Sequence, residues 1–180
     1  MNMETERLIL RPWREDDSEA LYKCASDPEV GPRAGWPPHK SMEESLMAIK
    51  TYFLNENTWA VVLKETGEII GCAGYHPSSR SNISIAEDEA EVGYWIAKPY
   101  WNQGICTEAL HEIVKYCFQT KCYNALWGMR FVDNPASSKV MEKCGFKDTG
   151  KCTQCEKLLV GGDKEVRILH LNRKDYKAEK

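Results

Sequence analysis

Hydrophobic and polar positions change period several times along these 180 residues. From Arg7 to Trp13 they alternate, with Leu8 and Leu10 on one side, which predicts an opening strand. Ala20, Leu21, Cys24 and Ala25 then recur at helical spacing, behind an Asp16–Glu19 capping pair and ahead of Pro28. Ser41 with Glu44 repeats that start signal for a second helix through Leu46, Ile49 and Phe53. Between the two, Gly31 to His39 reads as a stiff, aromatic-bearing loop. Trp59–Leu63 and Ile69–Tyr75 are rich in strand formers, and Glu65-Thr66-Gly67 makes the turn between them. Residues 77–88 are polar and read as loop. Ala90, Val92, Tyr94 and Ile96 alternate again, which puts Glu89, Glu91, Gly93 and Trp95 on the opposite face of a strand.

Past Gly104 the period becomes helical: Ala109, Leu110, Ile113, Val114, Cys117 and Phe118 form one apolar stripe. Ala125 to Val132 is the next strand, and Asn134-Pro135 supplies an N-cap and a first helical residue. The short helix that follows carries Val140, Met141 and Cys144 and ends at Gly145. Gly145–Lys151 and Glu165–Leu171 complete the strands, with a Gly161-Gly162 turn before the last. The order is strand, two helices, three strands, helix, strand, helix, two strands. That is an α/β chain of the mixed α+β kind, with a mixed sheet and helices on both faces. It shows neither repeats nor a break in composition, so residues 1–180 are expected to form a single domain.

Composition narrows the function classes. A net charge of −3, with both signs interspersed, lacks the basic face of a sequence-independent nucleic-acid binder. The N-terminus lacks the basic-then-apolar order of a signal peptide, and no apolar run is long enough to cross a bilayer. A cytoplasmic protein is expected, with neither nucleic-acid nor membrane partners. Of the eight cysteines, Cys24, Cys72 and Cys117 fall on apolar faces and read as small core residues. Cys152 and Cys155 form a lone C-x-x-C pair without a second pair at zinc spacing; a reduced structural role is expected and no metal.

The informative stretch is Pro99 to Leu110. A strand leads into a turn of small residues and then a strongly amphipathic helix, whose first amides carry partial positive charge. A turn without bulk at that mouth suits a ligand carrying a diphosphate. On its own the turn also reads as an ordinary strand–helix connection with Gly104 in the left-handed region.

Three segments resemble the GNAT superfamily of acyl-CoA-dependent N-acyltransferases, in particular the RimJ/RimL-like branch that contains ribosomal-protein N-terminal acetyltransferases. They are ETERLILRPWREDD (4–17), EVGYWIAKPYWNQGICTEAL (91–110) and DNPASSKVMEKCGF (133–146). The superfamily's Gln/Arg-x-x-Gly-x-Gly/Ala signature appears as Trp101-Asn102-Gln103-Gly104-Ile105-Cys106, with Trp101 and Cys106 replacing the first and last residues. The resemblance implies a single-domain fold, a mostly antiparallel sheet and splayed central strands. It implies acetyl-CoA as co-substrate, its diphosphate on the amides from Gln103 to Thr107 and its pantetheine arm along Tyr94 to Ala97. An N–H near Trp95 or Ile96 would polarise the thioester carbonyl.

The reaction it implies is direct attack by an amine in a ternary complex, the acceptor being a protein N-terminus or a small molecule. Glu91 is the candidate base, with Glu89 in reserve; the other reading of Glu91 is a solvated or lysine-paired strand residue. Ser137 is the candidate acid for the thiolate, and Asn134 a coenzyme contact; both also suit a helix start. The closing strand carries Leu169-His170 where many relatives have a tyrosine. Trp36 and His39 form either an acceptor wall or a plug over the core, while His76, His111 and His170 read as structural or surface residues. A homodimer is expected from an exposed sheet edge. The competing class is a non-catalytic acyl-CoA-binding module, and a weaker one a zinc domain on Cys152 and Cys155.

Overall fold

The opening alternation does form a strand. β2 (Leu8–Pro12) buries Leu8 and Leu10 completely, and a two-residue strand β1 (Met3–Glu4) pairs with it antiparallel. The structure, a computed structural model, describes residues 1–155 and 164–177, so the expected Gly161-Gly162 turn lies outside the described residues. The remaining elements are helices α1 (Ser18–Ala25), α2 (Gly31–Ala34) and α3 (Met42–Ala48), strands β3 (Thr58–Leu63), β4 (Ile69–Pro77) and β5 (Glu89–Ile96), and helix α4 (Ile105–Gln119). Strand β6 (Ala125–Phe131), helix α5 (Pro135–Lys143) and strands β7 (Lys147–Cys155) and β8 (Lys164–Asn172) follow. The strands are neighbours in the order β1-β2-β3-β4-β5-β6-β8-β7. Strands β5 and β6 pair in parallel, whereas β1–β2, β2–β3, β3–β4, β6–β8 and β7–β8 are antiparallel. The fold is therefore the mixed, mostly antiparallel α/β arrangement expected.

Chain contacts gather into two compact units: Met1–Gly74 with Tyr94–Ala109, and Tyr75–Gly93 with Leu110–Lys180. Strands β4 and β5 and helix α4 contribute to both. The first unit packs Trp13, Leu21, Val30, Ile49 and Trp95 into a core, with Trp36, Phe53 and Trp101 half-buried against it. In the second unit, Leu110, Ile113, Val114, Cys117 and Phe118 of α4 are all but inaccessible. Fully burying a large apolar side chain of this kind stabilises by roughly 1.5–3 kcal/mol, so the stripe is what fixes the helix.

Several sequence expectations are corrected. The first helix starts on Asp17 and not on an Asp16–Glu19 box. Arg11 of β2 holds the Asp17 carboxylate at 2.7 Å through two nitrogens, and that carboxylate accepts from the Arg14 N–H at 2.8 Å. A 3-10 turn over Glu15–Asp17 results. The stiff loop from Gly31 begins as the one-turn helix α2, with Pro32 in its first turn and Gly35 closing it at φ 101°. Both signals were present in the sequence. Ser41 does cap α3, accepting from Glu44 N–H at 3.2 Å, but Ile49–Phe53 widens into a π-helical turn. Asn134 occupies the N-cap position of α5 without a side-chain cap bond.

Candidate active site

The first unit builds a helix entrance. After β5 the chain runs through Ala97 and a 3-10 turn at Lys98–Tyr100 to Trp101. The Trp101 indole donates to Ile96 O at 2.6 Å, and its ring carries the Arg33 guanidinium 5.0 Å from the centroid. Asn102 and Gly104 both adopt positive φ, 61° and 77°, which turns the backbone sharply into α4. Asn102, Gln103 and Gly104 are exposed while Ile105 is buried, so the mouth is open and its far side anchored. The Glu108 N–H closes on this turn, onto Gly104 O at 3.0 Å. This first turn lies at the positive end of the helix dipole, which favours an anion.

Arg7, which sequence reasoning left in the opening strand, completes this entrance. Its guanidinium pairs with Glu108 at 2.7 Å and donates to Gln103 O at 3.0 Å, while its backbone N–H donates to Glu108 at 2.8 Å. A Cβ added at Gly104 would stand 3.5 Å from Arg7 Nη2. Burial pushes the Glu108 carboxyl up, but hydrogen bonds from Thr5 and Arg7 outweigh it and hold it below the ordinary value. The carboxylate in the first helical turn is thus neutralised by a partner, and the Gln103 carbonyl of the loop is held by the same guanidinium. An exposed turn at a helix start, a small residue in it and a cation alongside fit a diphosphate. Nothing in the sequence marked Arg7, because its partner lies a hundred residues away.

Trp36 and His39 also belong to this unit. Their rings lie 5.2 Å apart, and Trp36 meets Trp95 edge-on at 5.8 Å. His39 Nδ1 pairs with Ser45 Oγ at 2.9 Å, and burial lowers its pKa below the histidine norm against a smaller opposing pull from Glu44. The two predicted residues are therefore brought together, beside a residue of β5. In the same unit a cavity of about 460 Å³ is lined by Arg11, Asp17, Lys23, Glu68 and Tyr100, whose charged and hydroxyl groups already pair with one another.

The second unit holds the acid–base candidates. Glu91 is 3% exposed and accepts three hydrogen bonds: from Ser81 Oγ at 2.8 Å, Asn82 N at 2.6 Å and Asn82 Nδ2 at 3.0 Å. It is neither solvated nor paired with a lysine, as its plainer reading had it. The polar stretch 77–88 folds back onto it, a partner that no spacing rule announces. Glu89 accepts from the Trp127 indole at 2.7 Å and from Ala86 N at 3.1 Å. The β5–β6 register covers Glu89↔Ala125 to Val92↔Gly128 and stops there. Next comes Gly93, and the one heavy atom within 4 Å of a Cβ built there is His76 Nε2, at 3.6 Å. Burial lowers the His76 pKa; Glu91 pulls it back up and Arg80 lowers it further. The His170 ring meets Trp127 at a tilt of 45°, 4.2 Å between centroids, and its pKa is likewise lowered by burial. A cavity of about 350 Å³ is bounded by Asn82, Trp127, Lys151 and Ile168. Asn134 and Ser137 sit together at the start of α5, with Ser137 N donating to Asn134 O at 3.3 Å. Next to them Ser138 is buried on the Arg130 guanidinium.

The acetyltransferase (GNAT) domain model matches residues 7–147. The chain belongs to the GNAT acetyltransferase family. It is 31% identical over 157 residues to the uncharacterized N-acetyltransferase YoaA of Bacillus subtilis, covering 84% of this chain and 86% of that protein. It is 30% identical over 115 residues to the same organism's YdaF, provisionally named a ribosomal N-acetyltransferase, covering 63% and 59% of the two chains. Among solved structures, the spermidine N-acetyltransferase of Vibrio cholerae, in complex with CoA and spermine, superposes with a TM-score of 0.72 at 17% identity. It covers 96% of this chain and 99% of that one. A GNAT chain of this kind is an N-acetyltransferase. Among its described residues no helix is long and apolar enough to cross a membrane, and no group of three or more His, Cys, Asp or Glu could hold a metal ion.

Proposed function

We propose that this GNAT chain transfers an acetyl group from acetyl-CoA to the α-amine of a protein N-terminus, by direct attack in a ternary complex. The observation that carries the reading is the entrance of α4, where exposed backbone at Asn102–Gly104 meets the pinned Arg7 guanidinium. The diphosphate takes the amides from Gln103 to Thr107, with Asn134 as a further contact. The pantetheine arm follows Tyr94 to Ala97, and the N–H of Trp95 or Ile96 stabilises charge on the thioester oxygen. Proton removal from the ammonium falls to the groups around Glu91, and protonation of the leaving thiolate to Ser137. Trp36 and His39 shape the acceptor wall. Resemblance to the RimJ/RimL-like branch supports a protein acceptor over a polyamine.

The test is thiol release from acetyl-CoA with a panel of N-terminal peptides and diamines, followed by mass spectrometry of the products. An acetyl mass shift on a peptide α-amine is expected. Modification of diamines alone would move the acceptor to the polyamine class. Tight acetyl-CoA binding without any turnover would support the non-catalytic module instead.

A further inference from the structure

We infer that His76 is the proton acceptor for the attacking amine and that Glu91 is a positioning residue, which holds the Ser81–Asn82 loop. The inference rests on the acetyl-transfer reading above and assigns two of its parts.

Geometry separates the two groups. A carboxylate offers about four lone-pair sites, and three on Glu91 already accept hydrogen bonds from Ser81 and Asn82. With only 3% of the residue exposed, its carboxylate faces the loop and not an incoming amine. Asn82, which receives that grip through both its backbone and its side chain, bounds the 350 Å³ cavity. Glu91 therefore fixes one wall of that cavity through Asn82.

His76 is placed differently. Its Nε2 looks onto the space above Gly93, which no other heavy atom reaches within 4 Å once the glycine's chain neighbours are set aside. Gly93 is the first residue of β5 beyond the last β5–β6 pair, Val92↔Gly128. An imidazole nitrogen thus borders open space at the point where the parallel pairing ends. Among the described residues no hydrogen bond to the His76 ring is found, so neither ring nitrogen is committed as the Glu91 oxygens are. The charged groups acting on it are Glu91, which favours the imidazolium, and Arg80, which disfavours it. Burial, with Arg80 acting in the same direction, outweighs Glu91 and holds the ring below the ordinary histidine value, so its lone pair is available near pH 7.

The step balances. His76 Nε2 takes one proton from the ammonium, and the freed nitrogen pair forms the C–N bond to the thioester carbon. The C–S bond then breaks with its electrons on sulfur, and the second nitrogen proton passes to the thiolate through Ser137. Products are the amide, free CoA thiol and an imidazolium, which Glu91 stabilises until solvent removes the proton.

The test uses the full chain and acetyl-CoA, with whichever amine of the panel turns over, read as thiol release from pH 5.5 to 9. H76Q is expected to lower kcat by roughly a hundred-fold and to erase the low-pH limb, with acetyl-CoA affinity unchanged. In H76A, added imidazole is expected to restore part of the rate. E91Q is expected to raise the acceptor KM about ten-fold and to move the limb to lower pH without lowering the plateau kcat, because it loosens Asn82 and removes the charge that favours the imidazolium while His76 stays in place. G93A, whose methyl would sit at ordinary contact distance from Nε2, should fold normally and lose kcat by blocking the approach. Wild-type rates with an intact limb in H76Q, or loss of the limb in E91Q, overturns the inference while acetyl transfer stands. A wild-type protein that binds acetyl-CoA but turns over no amine removes the transfer reading and this inference with it.

Discussion

The two ends of β5 are built from different materials. Beyond Tyr94 the site is shaped mainly by the main chain, through the positive-φ turn at Asn102 and Gly104 and the first turn of α4, with Arg7 alongside. At Glu89–Gly93 they are side chains, and their partners arrive from elsewhere: Ser81 and Asn82 from a loop, His76 from β4, Trp127 from β6. A main-chain site tolerates side-chain change as long as the turn can form. A side-chain site fails with any one member, because buried donors are left without acceptors. Binding of a shared acyl donor suits the first kind of construction, and proton transfer to a particular acceptor the second.

That contrast can be broken most severely at Glu91. Replacing it with alanine strands the Ser81 hydroxyl and two Asn82 donors, and should destabilise the fold by about 3 kcal/mol in urea titration. Acetyl-CoA affinity measured on the folded fraction should be unchanged; a loss there would merge the two sites into one. Next in size, Gly104→Val forces a β-branched residue to φ 77° with its Cβ 3.5 Å from Arg7. Acetyl-CoA binding should weaken by about a hundred-fold in calorimetry, roughly 2.7 kcal/mol, with thermal stability falling far less. Unchanged affinity would show that the turn is only a connection.

The pH dependence sharpens the comparison further. His39, His76 and His170 each have a pKa lowered chiefly by burial, so the unfolded chain binds protons more readily than the folded one. Stability should be full above the unfolded value of about 6.5 and fall as pH drops below it towards the folded values. Chemical denaturation between pH 7.5 and 5 should show that slope, and His76→Gln should flatten part of it. The smallest effect belongs to Arg7→Ala. The Arg7 side chain is 42% exposed, so solvent screens the Glu108 pair to about 1 kcal/mol or less. A few-fold, salt-sensitive loss of acetyl-CoA affinity is expected, and a salt-independent loss would point to packing instead.

Most of the strands and helices were legible because each is a local pattern. The apolar stripe from Ala109 to Phe118 and the alternation of Ala90 and Val92 carry their burial in their spacing. The one-turn helix at Gly31 was missed although its own signals were local, but at two other places a distant group had intervened. Arg11 drew the first helix start onto Asp17, and the loop after Pro77 closed on Glu91.

Sequence alone determined the order of the longer elements, without β1 and α2, the helix entrance after Gly104 and the family to which the chain belongs, since backbone geometry and periodicity are set by near neighbours. Tertiary structure decided that Arg7 stands at that entrance, that Glu91 is enclosed by Ser81 and Asn82, and that His76 faces Gly93. Those pairings depend on which side chains folding brings within 4 Å, and spacing along a chain does not encode that distance.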